Sequence, residues 1–235
     1  MSKKGVFLVI EGTDGSGKGE QTRRLLERLQ SEGHLVATFD FPRYGQSSAW
    51  YVEQYLNGTF GELREVHPKT ASLFYAMDRY AAGPEIRAAI AEGKVVISNR
   101  YVASNLGHQG SKMEEGERKK FFDWDVDLEY EINGIPRPDL NIILHVPAGV
   151  AQALVDKKAE RQYLNGKKRD LHEADLDHLE RTEKTYREIA ETFPEYFVMV
   201  ECMDGERLRS PEEVHEMVWN VVKERITREA AINRL

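Results

Sequence analysis

The chain of 235 residues reads as an α/β fold in which a parallel sheet is wrapped by helices. Three observations predict it. Short, β-rich and nearly continuously apolar runs recur along the sequence, as strands buried on both faces require. Longer amphipathic stretches separate them, and regular strand–helix alternation builds a parallel sheet. Boundary signals fall where that alternation needs them: Gly33 follows the first helix, Gly93 closes the fourth and Ser210-Pro211 opens the last.

In chain order the expected strands are Val6–Glu11, Leu35–Phe39, Val95–Ser98, Asn141–Val146 and Tyr196–Glu201. The expected helices are Lys18–Glu32, Ser48–Leu56, Lys69–Ala81, Pro84–Glu92, Glu114–Tyr130, Ala148–Glu160, Leu176–Thr192 and Pro211–Glu229. Gln162 to Asp175 is a polar, weakly periodic insertion. No repeat or low-complexity linker divides the chain, so residues 1–235 are expected to form one domain.

Composition narrows the function. A hydrophobic share of 40% and a charged share of 31% describe a globular protein. The formal net charge of −7 argues against a nucleic-acid partner, which needs a basic surface, but leaves room for a small anion held by local cations. Cys202 stands alone and cannot close an intrachain disulfide, which fits the cytoplasm. The apolar run Val6 to Ile10 is too short for a secretion signal or a membrane span, so no membrane association is expected.

The strongest local signal lies between the first strand and the first helix: Gly12-Thr13-Asp14-Gly15-Ser16-Gly17-Lys18-Gly19. The GxxxxGK spacing curls backbone N–H groups around a phosphate at a helix N-terminus, and Lys18 reaches the outer phosphates of a nucleotide. An ordinary glycine-rich turn would not need both flanking elements. Where the full motif has Ser or Thr for Mg²⁺, this chain has Gly19. Magnesium must then be held by phosphates, water and another oxygen, for which Asp14 is the candidate.

Further candidates fall at the carboxyl ends of later strands, where open α/β sheets bind ligands. Arg43 and Arg100 suit bidentate binding of a monophosphate. Tyr75 and Arg79, four apart on one helix, share a face and suit a planar base by stacking and edge hydrogen bonding. Singly, each could be a core aromatic or a solvated charge; their placement after a phosphate loop favours a site. Lys157, Lys158, Arg161, Lys167, Lys168 and Arg169 crowd a stretch that also carries Asp156, Glu160, Asp170 and Glu173. It is either a solvated surface or a basic lid, about residues 157–175, that closes over the transferring phosphate, with Arg161, Lys168 and Arg169 as catalytic cations beside Lys18.

Together these motifs resemble the thymidylate kinase family, a branch of the P-loop nucleoside monophosphate kinases. The resemblance runs from Val6 to about Cys202. Ile10 to Lys18 looks like the family's phosphate loop, and Phe41-Pro42-Arg43-Tyr44-Gly45-Gln46-Ser47 is similar to its second motif. Arg100-Tyr101-Val102-Ala103-Ser104-Asn105 resembles its Asp-Arg-Tyr motif, Pro138-Asp139-Leu140 its lead into the fourth strand, and Arg169-Asp170-Leu171-His172-Glu173 its lid. The resemblance implies a three-layer P-loop NTPase fold, a five-stranded parallel sheet flanked by helices with a short basic lid, commonly a homodimer. It implies transfer of the ATP γ-phosphoryl group to dTMP, with Mg²⁺. ATP phosphates would meet residues Gly12 to Gly19, and the monophosphate would meet Asp14, Arg43, Tyr75, Arg79, Arg100, Ser104, Asn105, His108 and Gln109. The lid, rather than Gly15, would supply the catalytic cation.

The chain departs from the family pattern at Gly19, at Asn99 where Asp is usual, and at His108 and His172 where Tyr or Phe is usual. Leu106 to Pro136 is longer and more acidic than the pattern. These departures keep two alternatives open: another deoxynucleoside monophosphate kinase, or a catalytically weakened nucleotide-binding regulator. A deoxynucleoside kinase fits less well, because that reaction calls for a general base at a sugar hydroxyl.

Overall fold

The computed structural model describes the backbone of residues 5–62, 65–163 and 176–232; the side chains of 157–163 and 229–232 are not part of that description. Its central sheet has five strands: β1 (Val6–Glu11), β2 (Val36–Asp40), β3 (Val95–Asn99), β4 (Leu140–His145) and β5 (Phe197–Glu201). They run in the order β2-β3-β1-β4-β5, and every pair is parallel. Both β1 and β4 are buried along their whole length, which is why they read as mostly apolar runs, broken only by Glu11 in β1 and by Asn141 and His145 in β4.

The two-residue period of β1 divides the core into two layers. Val6, Leu8 and Ile10 pack on one face with α1 (Lys18–Ser31) and α8 (Pro211–Ile232), through Leu25, Leu29, Val214, Val218, Trp219 and Val222. Phe7 and Val9 point to the other face, where they join α3 (Pro68–Ala91), α4 (Val102–His108), α5 (Arg118–Val126) and α7 (Leu176–Thr192). The Pro-Asp lead into β4 fixes that strand's start: Asp139 accepts the Phe7 N–H at 2.7 Å, and its own N–H reaches the Phe7 carbonyl at 2.8 Å. Two further helices are α2 (Trp50–Leu56) and α6 (Ala148–Tyr163).

Four expectations need correction. The helices expected at 69–81 and 84–92 are one helix of 24 residues, with Pro84 inside it. An internal proline costs about 3 kcal/mol, but Ala82, Ile86 and Ala89 carry one buried face straight through the interruption. The helix expected at 114–130 is shorter: a 3₁₀ turn at Glu115–Glu117 precedes α5, and a π-helical turn at Asp127–Ile132 follows it. Helix α4 was not expected at all. Nor was the antiparallel hairpin β6 (Met203–Asp204) and β7 (Arg207–Leu208), although Asp204-Gly205 is a known hairpin signal and Gly205 has φ 59°.

Candidate active site

The glycine turn joins β1 to α1 at the carboxyl end of the sheet. Gly12 has φ 139°, and a Cβ there would come within 2.6 Å of the Leu144 carbonyl oxygen; Gly15 has φ 84°, and a Cβ would meet the Ala151 carbonyl at 2.2 Å. A side chain at either position is excluded by both strain and contact. Lys18 is 7% exposed, donates from Nζ to the Thr13 carbonyl at 2.7 Å and lies 3.9 Å from Asp14 Oδ1. The hydroxyls of Thr13 and Ser16 are buried without a hydrogen-bond partner among the described residues, as donors awaiting an anion would be.

Across the turn stands Arg100, the one non-glycine residue of positive φ (65°) among those described. Left-handed backbone at an arginine is strained, and such strain gathers at functional sites. Here it is held by Glu11. That buried carboxylate accepts the Tyr101 N–H at 2.7 Å, the Ser104 N–H at 3.1 Å, the Ser104 hydroxyl at 2.7 Å and the Tyr186 hydroxyl at 3.1 Å. An acid at the start of α4 also suits the helix dipole. Burial pushes the Glu11 carboxyl up, while the Arg100 charge and the hydrogen bonds pull it back. Arg100 itself pairs with Asp14 through a short contact, donates to Ser104 Oγ at 3.2 Å and meets His108 Nε2 at 3.0 Å. Because a guanidinium only donates, Nε2 of His108 is the acceptor.

Arg43, after β2, takes a different position. Its Nε donates to Asp78 Oδ1 at 3.0 Å, its backbone N–H to Asp78 Oδ2 at 2.7 Å, and Nη2 to Ser48 Oγ at 3.0 Å. It is absent from the cavity wall, unlike its neighbours Pro42 and Tyr44. Arg79 does reach the wall, yet it is 1% exposed and its Nε donates to Glu129 Oε1 at 2.8 Å, with Nη2 in a shorter contact to the same oxygen. The π-helical turn after α5 carries Glu129 to this point.

A cavity of about 960 Å³ has the glycine turn in its wall, and because β1 lies between β3 and β4 in the sheet, the rest of its lining falls into two unlike ends on opposite sides of that turn. One gathers Tyr75, Arg79, Asn105, His108 and Gln109, with Ser104 and Arg100 toward the middle. The other is lined by Val146, Leu154, Val155, Cys202, Leu208 and Arg209. Between them lie Asp14, Gly15, Ser16, Gly17, Lys18 and Gly19. Sequence reasoning did not find the second end; the only local signal for it was the hairpin turn that carries Leu208 and Arg209. It also missed Glu11, Asp78 and Glu129, which support the Arg100 backbone, Arg43 and Arg79 respectively.

Asp14, expected on a metal, is committed to Arg100. A second carboxylate, Asp40, lines the cavity and accepts the Asn99 amide at 2.9 Å, while Asn99 Oδ1 is buried with no partner among the described residues. Among the described residues no group of three His, Cys, Asp or Glu forms a metal cage. This oxygen set fits a magnesium ion bound mainly through phosphates and water, with one or two protein ligands. Of the basic segment, Lys168, Arg169 and His172 fall outside the described residues, and Arg161 falls among the undescribed side chains.

A parallel sheet in this order, a glycine turn with its lysine, and cations facing that turn define a P-loop nucleotide kinase. The chain belongs to the thymidylate kinase family, whose model, "Thymidylate kinase", matches residues 10–218. It is 35% identical over 186 residues to a thymidylate kinase of Mycobacterium tuberculosis (strain CDC 1551 / Oshkosh), covering 79% of this chain and 86% of the relative. It is 32% identical over 202 residues to a thymidylate kinase of Desulforudis audaxviator, covering 83% and 82% respectively. A probable thymidylate kinase of Pyrococcus horikoshii is 27% identical over 222 residues, 94% of this chain and 97% of that one.

Proposed function

We propose that this protein transfers the γ-phosphoryl group of ATP to dTMP, giving ADP and dTDP. The observation that carries this reading is the two-ended cavity with the glycine turn at its centre. Its apolar end suits adenine, with Arg209 available to stack on the ring. Its end of amides, Tyr75 and Arg79 suits a second base. Two nucleotides entering from opposite ends bring their phosphates together over Lys18.

Residues Gly12 to Gly19 cradle the ATP phosphates through backbone N–H groups and the hydroxyls of Thr13 and Ser16. Arg100 binds the acceptor phosphate, exchanging its contact with Asp14 for the new anion, and Arg43 approaches from the second motif. An acceptor phosphate oxygen attacks the γ-phosphorus in line. The bond to the β–γ bridging oxygen breaks, and ADP leaves with that electron pair. No protein nucleophile is needed; positioning and cations lower the barrier. Lys18 balances charge on the transferring group, joined by Arg161, Lys168 and Arg169 of the lid. One or two of Asp40, Asn99 Oδ1 and Asp14, the last once its contact with Arg100 is exchanged, would hold magnesium, which when bound neutralises phosphate charge.

We further infer one nucleoside monophosphate kinase domain across residues 1–235, working in the cytoplasm as a homodimer without nucleic-acid or membrane partners. No helix among the described residues is long and apolar enough to cross a membrane. Support for the dimer is an exposed apolar stripe on α3, Leu73, Met77 and Tyr80, beside exposed Trp50 and Tyr51 of α2. Gly19 and Asn99 favour a second reading, a nucleotide-binding regulator of weakened turnover. An ADP-release assay across dTMP, dUMP, dCMP, dGMP and AMP, with and without Mg²⁺, separates these. Fastest release with dTMP and Mg²⁺ supports the proposal; binding without product supports the regulator; strong activity on another monophosphate reassigns the acceptor.

A further inference from the structure

Lys112 closes the 3₁₀ turn Gly110–Lys112 that follows α4, and it stays behind the cavity wall. Its Nζ donates to Gln109 Oε1 at 2.9 Å and to the hydroxyl of fully buried Tyr55 at 2.7 Å. Burial pushes the ammonium down to about 8 from its ordinary 10.5, so the group sits in a poorly solvated place and its partners determine where it stays.

Gln109 is 1% exposed and lines the base-sized end of the cavity. A carboxamide carries its oxygen and its NH₂ on opposite sides, and a lysine ammonium can only donate. The oxygen must therefore face Lys112, and the NH₂ turns the other way. Asn105 is set in the opposite sense. Its Nδ2 donates to the Ser72 carbonyl at 3.2 Å and to Asp125 Oδ1 at 3.3 Å, which turns its oxygen away from both, and Asn105 also lines the cavity. The wall thus offers a donor at Gln109 and an acceptor at Asn105.

We propose that Lys112 is a positioning residue for base selection: it fixes the Gln109 amide as a donor, so the site accepts an imide base and rejects an aminopyrimidine. The inference rests on the dTMP kinase reading. An imide edge carries C=O beside N–H, whereas cytosine carries NH₂ beside a bare ring nitrogen, the reverse order. An amide able to turn over serves both; an amide held by a cation serves one. Rejection is strong when a mismatched base leaves buried polar groups unpaired.

The test measures kcat and KM for dTMP, dCMP and ATP in wild type, Lys112→Met, Gln109→Leu and the double variant, below the melting temperature of all four. Expected in Lys112→Met is about a tenfold rise in the dTMP KM and at least a tenfold loss of preference over dCMP, with kcat for dTMP and KM for ATP within about twofold. In the Gln109→Leu background Lys112→Met should change neither, because the amide it positions is gone. Tyr55→Phe, which removes one anchor of the ammonium, should show an intermediate loss of preference and serves if Lys112→Met does not fold. A wild type that prefers dTMP, with a Lys112→Met or Tyr55→Phe variant keeping that preference, overturns the role of Lys112 alone. So does a uniform fall with all substrates, or an equal effect of Lys112→Met with and without Gln109. A wild type with no preference for dTMP over dCMP overturns the acceptor assignment and this inference with it.

Discussion

Asp78 holds Arg43 from two sides, accepting its Nε–H at 3.0 Å and its backbone N–H at 2.7 Å. The carboxylate is 1% exposed, and the Ser48 hydroxyl also donates to it at 2.6 Å. Arg43 therefore has a fixed loop and a planar guanidinium held as one unit through Nε and Nη2; on the proposed function, its remaining N–H groups would meet the acceptor phosphate. Preorganisation of this kind acts on binding more than on chemistry.

Asp78→Asn should accordingly raise the KM for the acceptor roughly tenfold, about 1.4 kcal/mol, while kcat changes less. Steady-state kinetics with dTMP varied at saturating ATP reads this directly. Equal loss in kcat and unchanged KM would show that Asp78 does not act through acceptor binding.

Glu11 is the second support. It accepts four hydrogen bonds from residues 90 or more positions away, and Ser104 and Arg100 depend on it. Glu11→Ala leaves those buried donors unsatisfied, at roughly 3 kcal/mol or more of stability. It should also release Arg100 from its left-handed backbone, impairing acceptor use even at temperatures where the variant is folded. Urea denaturation and acceptor KM test the two effects separately; a stable variant with wild-type KM would remove Glu11 from this role.

The same residues show what was legible in the sequence. The glycine turn and the five strands could be read because their signals are local: a fixed spacing, and apolar runs bounded by glycine and proline. Arg100, Ser104 and Asn105, which follow a strand end, line the cavity. What held these groups could not be read, since Glu11 caps α4 from a distance of 90 residues and Glu129 meets Arg79 across 50. Helix α4 was missed for that reason: its N-terminal N–H partner is supplied by another strand, not by a neighbouring Ser or Asp. Pro84 misled in the opposite direction, because local propensity does not register a buried face that continues through it.

The exposed stripe of α3 gives a test of assembly. Met77 lies at its centre, 41% exposed, between Leu73 and Tyr80. A second copy covering this stripe would exclude water from all three. Met77→Glu should then dissociate the dimer, because a buried unpaired carboxylate costs several kcal/mol per subunit. Sedimentation velocity at micromolar concentration should give a dimer for wild type and a monomer for the variant. A wild-type monomer, or a variant that remains dimeric, would place the interface elsewhere or nowhere.

Asp125 offers a prediction in pH. It is fully buried beside Glu129, and burial first, then the neighbouring carboxylate, raises its pKa well above the ordinary 3.8. A carboxyl raised on folding favours the native state fully at pH values below its unfolded pKa, and that contribution is lost as pH rises toward and through the folded value. Asparagine keeps the shape and can still accept from Asn105, but it never ionises. Wild type and Asp125→Asn should therefore differ little near pH 4. Above it wild type should lose ground by up to about 1.4 kcal/mol per pH unit until the folded pKa is passed. Urea denaturation of both proteins at pH 4.5, 6 and 8 measures the difference, with Asp125→Asn the more stable at pH 8. A gap that stays constant, or one that turns in favour of wild type as pH rises, would mean that Asp125 is ionised and stabilised in the folded chain by its neighbours, Arg79 first among them.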